Sequence, residues 1–351
     1  MTKALLKKVY RLVSRFSRTL VFFVIKLIAV RIKAKVVVKY DAKQVKDGFG
    51  AQLHRIVSLL HVAHQLKFEV IKPEILEVAI HPLDPIKTLS EMRTFLAKSN
   101  DVLFQSSLYV AEKKPFKQNR ILRIDSLNLK GICKVLISTF WRTEPTILVS
   151  CEAHSLADLV VDKYSETLNL YFKFFLENQV GTNKREVLIL HYRQGAGNFA
   201  IYPGQRIPRQ IHLDYFLGVI SEILSAKESK IKKMRVFTDS PREDKEFSPL
   251  KEQLDLWVGT PGFHGQNVTY KGLDIENYFN SISKRYGVEV MIERNLDPLE
   301  MIIEMANASV LIISRSSLSY IAGLFNSKGS VYFAPGFWHA RPRQWLISTR
   351  E

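Results

Sequence analysis

Four polar side chains in the second half of the sequence follow directly on apolar runs of strand length. Arg193 follows the run at residues 187–190, Asp239 follows another, and Ser316 and Ser317 follow a third. Ligands of open α/β sheets bind where parallel strands end, so we expect these side chains to converge. A guanidinium beside serine hydroxyls at a helix start suits an anionic group such as a diphosphate.

The same residues also permit purely structural roles, and both interpretations stay open at this point. Arg193 can cap a carbonyl group or pair with a nearby acid, and Ser316 and Ser317 can simply cap the following helix. The sequence contains no Asp-X-Asp cluster of the kind that holds magnesium or manganese. A diphosphate at this site is therefore expected to be bound by protein cations without a metal ion.

Alternating strands and helices position these side chains. In the second half, short apolar runs alternate with segments of helical periodicity, which predicts a doubly wound parallel sheet. The predicted strands are residues 187–190, 234–238, 288–292, 310–313 and 331–334, and the predicted helices are residues 213–225, 275–285, 298–307 and 316–325.

The first half begins with a similar unit. Residues 36–40 predict a strand, residues 47–52 (DGFGAQ) a ligand loop at its end, and residues 53–66 a helix. The loop lacks the third glycine of a dinucleotide fingerprint and the Gly-Lys-Ser/Thr of a P-loop. Further along, we predict strands at residues 70–71 and 77–80, helices at 86–97 and 156–176, and strands or buried segments at 102–111, 121–127 and 132–140.

Length, cysteine content and charge narrow the class of protein. The 351 residues suit two domains. Two cysteines, Cys133 and Cys151, exclude a disulfide framework and fit a reducing compartment.

The net charge is +17, but the chain through Lys39 carries eleven Lys and Arg and no acid, leaving +6 for the other 312 residues. A nucleic-acid-binding protein usually carries its basic surface on the folded domain, so we expect no nucleic-acid partner.

The basic N-terminal segment predicts an amphipathic helix over residues 3–31. Its apolar runs, 20–25 and 27–30, are too short to span a bilayer, and no signal-peptide cleavage site follows. The favoured interpretation is a helix lying on an anionic membrane surface, and the alternative is a helix docked on the protein's own body. The apolar positions at helical spacing are Leu5, Val9, Leu12, Phe16, Leu20 and Phe23.

We therefore predict three parts. Residues 1–35 form the basic segment, residues 36–180 an N-terminal α/β domain, and residues 181–351 a C-terminal α/β domain. The polar stretch 177–185 is the predicted linker.

Four segments resemble, in order and rough spacing, motifs of the fucosyltransferase-like superfamily of alpha-1,2-, alpha-1,6- and O-fucosyltransferases. Residues 191–195 (HYRQG) resemble His-X-Arg-Arg-Gly-Asp, and residues 47–52 resemble Gly-Gly-Leu-Gly-Asn-Gln. Residues 316–320 (SSLSY) resemble Ser-Ser-Phe-Ser-Trp, and residues 334–338 (APGFW) resemble Ala-Pro-X-X-Trp. The resemblance extends over about residues 36–348.

The resemblance implies a GT-B-like fold, with two Rossmann-like domains facing each other across a cleft. It also implies an inverting, metal-independent transfer from a nucleotide sugar, usually GDP-fucose, in which Arg193 holds the β-phosphate and stabilises the leaving GDP. The residues implied in donor binding are His191, Gly195, Asp239, Arg315, Ser316, Ser317 and Ser319. The residues implied on the acceptor side are Asp47, Gly48, Gly50, Gln52 and His54.

The sequence departs from these motifs at several positions, three of which replace a charged or amide side chain. Gln194 and Ala196 replace the second arginine and the aspartate of the first motif, and Ala51 replaces the asparagine of the loop. These changes bear on the donor sugar and on turnover more than on the fold. No general base stands out, although suitable regions contain Asp47, His54, Glu152 and His154.

We therefore predict a fucosyltransferase-like glycosyltransferase that uses a nucleotide sugar, a glycan or glycolipid acceptor, and neither metal nor further cofactor. The alternative is a catalytically inactive nucleotide-sugar- or glycan-binding protein of the same fold. The predicted location is cytoplasmic, peripheral to the inner face of a membrane, with anchoring in a secretory compartment as the alternative.

Overall fold

The chain divides into two compact units. The first comprises Met1–Asn178 with His339–Pro342, and the second comprises Gln179–Trp338 with Arg343–Glu351. The first division falls within the predicted linker, whereas no change in composition marks residues 339–342. The computed structural model describes residues 17–30, 36–42, 48–73, 75, 85–98, 120–140, 146–178, 186–193, 211, 213–238, 275–294 and 296–348. The predicted strands at 77–80 and 102–111 lie outside these residues.

A four-stranded parallel sheet forms the centre of the first unit. Its strands are β1 (Val36–Tyr40), β2 (Glu69–Val70), β3 (Arg120–Arg123) and β4 (Thr146–Ser150). They lie in the order β2-β1-β4-β3, with Val38 of β1 opposite Leu148 of β4. Strand β4 is entirely buried yet is not among the predicted strands, because its apolar run of three residues is too short to stand out.

The helices of the first unit are α1 (residues 17–30), α2 (Phe49–Leu66), α3 (Pro85–Ala97), α4 (Leu129–Phe140), α5 (His154–Ala157), α6 (Tyr164–Tyr171) and α7 (Lys173–Asn178), with a 3-10 helix (Asp158–Lys163) between α5 and α6. Residues 132–140, predicted as a strand or buried segment, belong to α4, which buries Ile132, Val135 and Leu136 at helical spacing. The single helix predicted over residues 156–176 is divided, because Val160 has a non-helical backbone (φ −126°, ψ 29°).

Helix α1 has two apolar sides. Phe22, Ile25 and Ala29 are buried, and the Lys26 ammonium donates a hydrogen bond of 2.9 Å to Gln65 Oε1 of α2. The helix is therefore docked on its own unit. Its remaining large apolar side chains form an exposed set, called here the apolar face of α1: Leu20, Val21, Phe23, Val24, Leu27, Ile28 and Val30. Among the described helices, none is long and apolar enough to cross a membrane.

A five-stranded parallel sheet forms the second unit. Its strands are β5 (Val187–Tyr192), β6 (Lys233–Thr238), β7 (Glu289–Arg294), β8 (Val310–Ile312) and β9 (Ser330–Tyr332). Its described helices are α8 (Leu213–Ser225), α9 (Ile275–Tyr286), α10 (Pro298–Ala306) and α11 (Ser317–Phe325). All predicted strands and helices of this half are present, with ends within two residues of the predicted ones.

The strand order in the second unit is β7-β6-β5-β8-β9. The chain runs outward from β5 through β6 to β7, then returns to the other side of β5 at β8 and continues to β9. The strands β5 and β8 therefore flank a topological switch point, where ligands of doubly wound sheets bind. The predicted α/β class, with a parallel sheet in each of two units, is confirmed.

Candidate functional site

At the switch point of the second unit, a hydrogen bond between two side chains connects the segments at the ends of β5 and β8. His191, the fifth residue of β5, lies with its ring Nδ1 2.9 Å from Oγ of Ser314, two residues beyond β8. Both side chains are buried. A buried bond of this kind fixes the imidazole and holds the segments that leave β5 and β8 at one spacing.

Arg193 is the first residue after β5, and its side chain is half-buried. Leu190 of β5 pairs with Ile312 of β8. Arg193 lies three residues after Leu190, and Arg315 lies three residues after Ile312. Neighbouring strands of a sheet are about 4.8 Å apart, so the two segments leave the same edge side by side. The structure thus brings Arg193 and the serine segment to one end of the sheet, as predicted.

The serine segment forms the start of helix α11. Ser316 is its N-cap residue, and the Ser316 hydroxyl accepts a hydrogen bond of 3.3 Å from the backbone N–H of Leu318. Ser317 is the first helical residue and is half-buried. Ser319 is buried, with its hydroxyl 3.3 Å from the carbonyl oxygen of Ser316 and 3.4 Å from that of Ser314. Ser316 and Ser319 therefore shape the turn, while the helix N-terminus carries the positive end of the helix dipole.

Arg315 connects the serine segment to the last motif. Its Nε donates a hydrogen bond of 2.7 Å to the carbonyl oxygen of Pro335. Partial burial lowers the pKa of Arg315, and the nearby Tyr215 opposes that shift. The guanidinium thus links residues 314–320 to residues 334–338. Tyr320 supports the same region from within, its ring centroid 5.5 Å from that of Phe337 and 5.2 Å from that of Trp345.

Three of the predicted site residues, Asp47, Gly195 and Asp239, lie outside the described residues. The remaining predicted acceptor-side residues belong to the start of α2. Gly48 precedes the helix, and its carbonyl oxygen accepts a bond of 3.0 Å from the N–H of Gln52. The predicted loop is therefore partly helical, and the side chains of Gln52 and His54 are buried.

The other residues considered for proton transfer lie at the end of β4. The Glu152 carboxylate accepts a hydrogen bond of 2.5 Å from Nη1 of Arg55 and lies 3.8 Å from Nε2 of His154. Burial, and then the neighbouring His339 and Arg55, hold the pKa of His154 well below its usual value. His154 is therefore neutral at physiological pH, and the Glu152 carboxylate is engaged by a cation.

Sequence reasoning missed Ser314 and His339. Ser314 lies two residues before the serine motif and directly follows a predicted strand, so its position was a usable signal. His339 carries no such signal, because its neighbours in space are far away in sequence. One of them is His54, whose ring centroid is 4.2 Å from that of His339.

No family model matches the sequence, and no curated protein does so either. Among solved structures, the chain is similar to POFUT1 in complex with GDP-fucose, with 12% identity and a TM-score of 0.44, covering 88% of this chain and 97% of that chain. It is also similar to POFUT1 in complex with GDP, with 12% identity and a TM-score of 0.39, covering 88% of this chain and 97% of that chain.

Proposed function

We propose that this protein is a fucosyltransferase-like glycosyltransferase that transfers a sugar from a GDP-sugar, with GDP-fucose as the first candidate, to a glycan hydroxyl. The observation that carries the proposal is the buried His191–Ser314 hydrogen bond at the switch point. It joins the segment that resembles the arginine motif of these enzymes to the segment that begins their serine motif. Two segments far apart in sequence therefore meet where a doubly wound sheet binds its ligand.

The site offers the charge that a departing diphosphate requires. Arg193 supplies a guanidinium that can bind phosphate oxygens in a bidentate manner. The N-terminus of α11 supplies backbone N–H groups and the helix dipole, which favour an anion. In the proposed reaction these groups stabilise the negative charge that builds on GDP, without a metal ion at the diphosphate.

The proposed reaction inverts the configuration of the sugar. The oxygen of the acceptor hydroxyl forms a bond to the anomeric carbon from the face opposite GDP, while the bond from that carbon to the β-phosphate oxygen breaks. The electron pair of the broken bond stays on GDP, and the hydroxyl proton passes to a general base. Arg193 acts on the leaving group, so its contribution is greatest in the transition state.

A second candidate function is nucleotide-sugar binding without turnover. Gln194 and Ala196 favour it, because they stand where the related motif carries an arginine and an aspartate. Loss of one cation lowers the stabilisation of the leaving group, while Arg193 and the α11 N-terminus still attract a diphosphate.

We also propose that the apolar face of α1 rests on an anionic membrane surface at the cytoplasmic side. The face exposes large side chains, including Leu20 and Phe23 at 55% each, next to the most basic part of the sequence. Cytoplasmic leaflets are rich in anionic lipids, and a basic helix with one apolar side binds such a surface. A second copy of the chain is the less favourable occupant, since the same positive charge would repel it.

The proposed activity is tested with purified full-length protein. Thermal unfolding is recorded with GDP, UDP, ADP and their sugar derivatives, and donor turnover is then measured with acceptor glycans. We expect GDP and a GDP-sugar to raise the unfolding temperature selectively, and the GDP-sugar to be consumed. Binding without hydrolysis or transfer would favour the second candidate function. Equal shifts with all nucleotides, or none, would contradict the proposed donor site.

A further inference from the structure

Three histidines lie together in the first unit. The ring of His54 is 4.2 Å from that of His154 and 4.2 Å from that of His339, and the last two rings are 5.0 Å apart, measured between centroids. One ring nitrogen from each residue lies within 4.8 Å of the other two. Two of its members are shielded from solvent, with His54 only 1% exposed and His339 8% exposed, and His154 is half-buried.

The central sheet of the first unit brings two of these residues together. His54 lies on α2, which follows β1, and His154 begins α5, which follows β4. Strands β1 and β4 are adjacent and parallel, so both helices begin at the same edge of the sheet. His339 comes from residues 339–342, the short segment of the C-terminal half that belongs to this unit.

Two of the three histidines each have one ring nitrogen near a carboxylate. Nε2 of His154 lies 3.8 Å from Oε2 of Glu152, and Nδ1 of His339 lies 3.9 Å from Oδ2 of Asp158. A carboxylate behind one imidazole nitrogen orients the ring and raises the basicity of the other nitrogen, as in metal sites where carboxylates support histidine ligands.

Within the part of the chain that the structure describes, Nδ1 of His154 is buried and has no hydrogen-bond partner. Such an atom costs free energy unless something binds to it, and an ion is one of the accepted explanations.

We propose that His54, His154 and His339 bind a divalent transition metal ion, with Zn²⁺ as the best fit, through one nitrogen each. Zinc accepts imidazole ligands at about 2.0–2.1 Å in tetrahedral geometry, and three protein ligands leave one position for water or another ligand. The Asp158 carboxylate offsets part of the charge of the ion, while the Glu152 carboxylate is already paired with Arg55.

The proposed metal site is separate from the site of the proposed transfer reaction. The residues proposed for the diphosphate all belong to the second unit, and the ion is held by residues of the first. The proposed ion holds α2, α5 and the 339–342 segment together. If the protein did not bind zinc, the proposed nucleotide specificity would be unaffected. If it did not bind GDP selectively, the proposed metal site would be unaffected.

The test is a zinc titration of the full-length chain, purified without a histidine tag and stripped with a chelator. Isothermal calorimetry and elemental analysis measure the stoichiometry, and Co²⁺ substitution reports the geometry by its visible absorption. We expect about one ion per chain, tetrahedral Co²⁺ bands, and a higher unfolding temperature with Zn²⁺ but not with Mg²⁺.

Two variants and one control make the result specific. Asp158→Asn removes the carboxylate beside His339 and is expected to weaken Zn²⁺ binding by about 10- to 100-fold. His154→Gln removes a ligand and is expected to weaken it by about 100-fold or more. His64→Gln changes a half-buried histidine of α2 outside the cluster and should bind zinc as the natural chain does. Absence of zinc binding in the natural chain, or equal affinity in all four proteins, would overturn the proposal. Asp158 is partly exposed, so its variant keeps the test decisive if His154→Gln does not fold.

Discussion

The imidazole of His191 and the hydroxyl of Ser314 form a buried hydrogen bond of 2.9 Å that connects the ends of two adjacent strands. Arg193 lies two residues beyond one partner, and the N-cap Ser316 lies two residues beyond the other. The bond therefore links the segment that carries the guanidinium to the segment that begins the helix.

Replacing Ser314 with alanine should destabilise the protein and weaken GDP binding together. The change leaves a ring nitrogen of His191 buried without its partner, which typically costs about 1–3 kcal/mol in the free energy of unfolding. Urea denaturation and GDP titration measure the two effects. Ser281→Ala, at an exposed serine of α9, is the matched control and should cost less than about 0.5 kcal/mol. Similar losses in both variants would show that the His191–Ser314 bond has no special role.

Replacing Arg193 with alanine should remove transfer while leaving the fold intact. The side chain is half-buried and lies beyond the end of β5, so its loss creates no core cavity. Removing one group that stabilises transition-state charge lowers kcat by about 10²- to 10³-fold. Arg285→Ala, an exposed arginine of α9, serves as the control and should retain full rate. Undiminished transfer by the Arg193 variant at an unchanged unfolding temperature would refute the role of this residue.

Glutamate substitutions on the apolar face of α1 should abolish vesicle binding. Phe23→Glu with Leu27→Glu replaces two exposed apolar side chains, and sedimentation with anionic vesicles at several salt concentrations measures the effect. Each lost apolar contact is expected to reduce binding by about tenfold or more. The control is Ile137→Glu, since Ile137 is also exposed but lies on α4. If the double variant binds as the natural chain does, the face does not contact lipid.

Stability should fall as the pH is lowered through the histidine range. Burial lowers the pKa of His61 to about 4, a shift that the hydrogen bond to the Val160 carbonyl partly opposes. In the unfolded chain a histidine titrates near pH 6.5. Between about pH 6.5 and pH 4 the unfolded state therefore binds a proton that the folded state does not, and stability is lost as the pH falls.

The loss attributable to His61 is on the order of 3 kcal/mol across that window. Its neutral ring is held by Thr167 Oγ1 at 2.8 Å from Nδ1 and by the Val160 carbonyl at 3.0 Å from Nε2. Urea midpoints between pH 7 and pH 4 should fall less steeply in His61→Gln than in the natural chain. Parallel curves would show that other groups cause the acid sensitivity. His54 and His154 act in the same direction, so the variant retains part of the slope.

The sequence by itself determined the architecture of the second unit. Buried parallel strands are continuous apolar runs, and β5 shows this clearly because all six of its residues are buried. Helices such as α8 and α10 repeat apolar residues at helical spacing. Such patterns are local, so they can be recognised without knowing the fold. They also place Arg193 and Ser316 at strand ends. This placement predicted the end of the sheet at which both residues lie.

Only the tertiary structure decided which of these elements touch. The pairing of β5 with β8 joins residues far apart in sequence, and no local pattern specifies that His191 bonds Ser314. Strand β4 escaped prediction because three apolar residues carry too little periodicity, and its burial comes from its neighbours in the sheet. The histidine cluster depends on the return of residues 339–342 to the first unit. Contacts of this kind arise from the packing of whole elements, and a linear pattern records only what each element does alone.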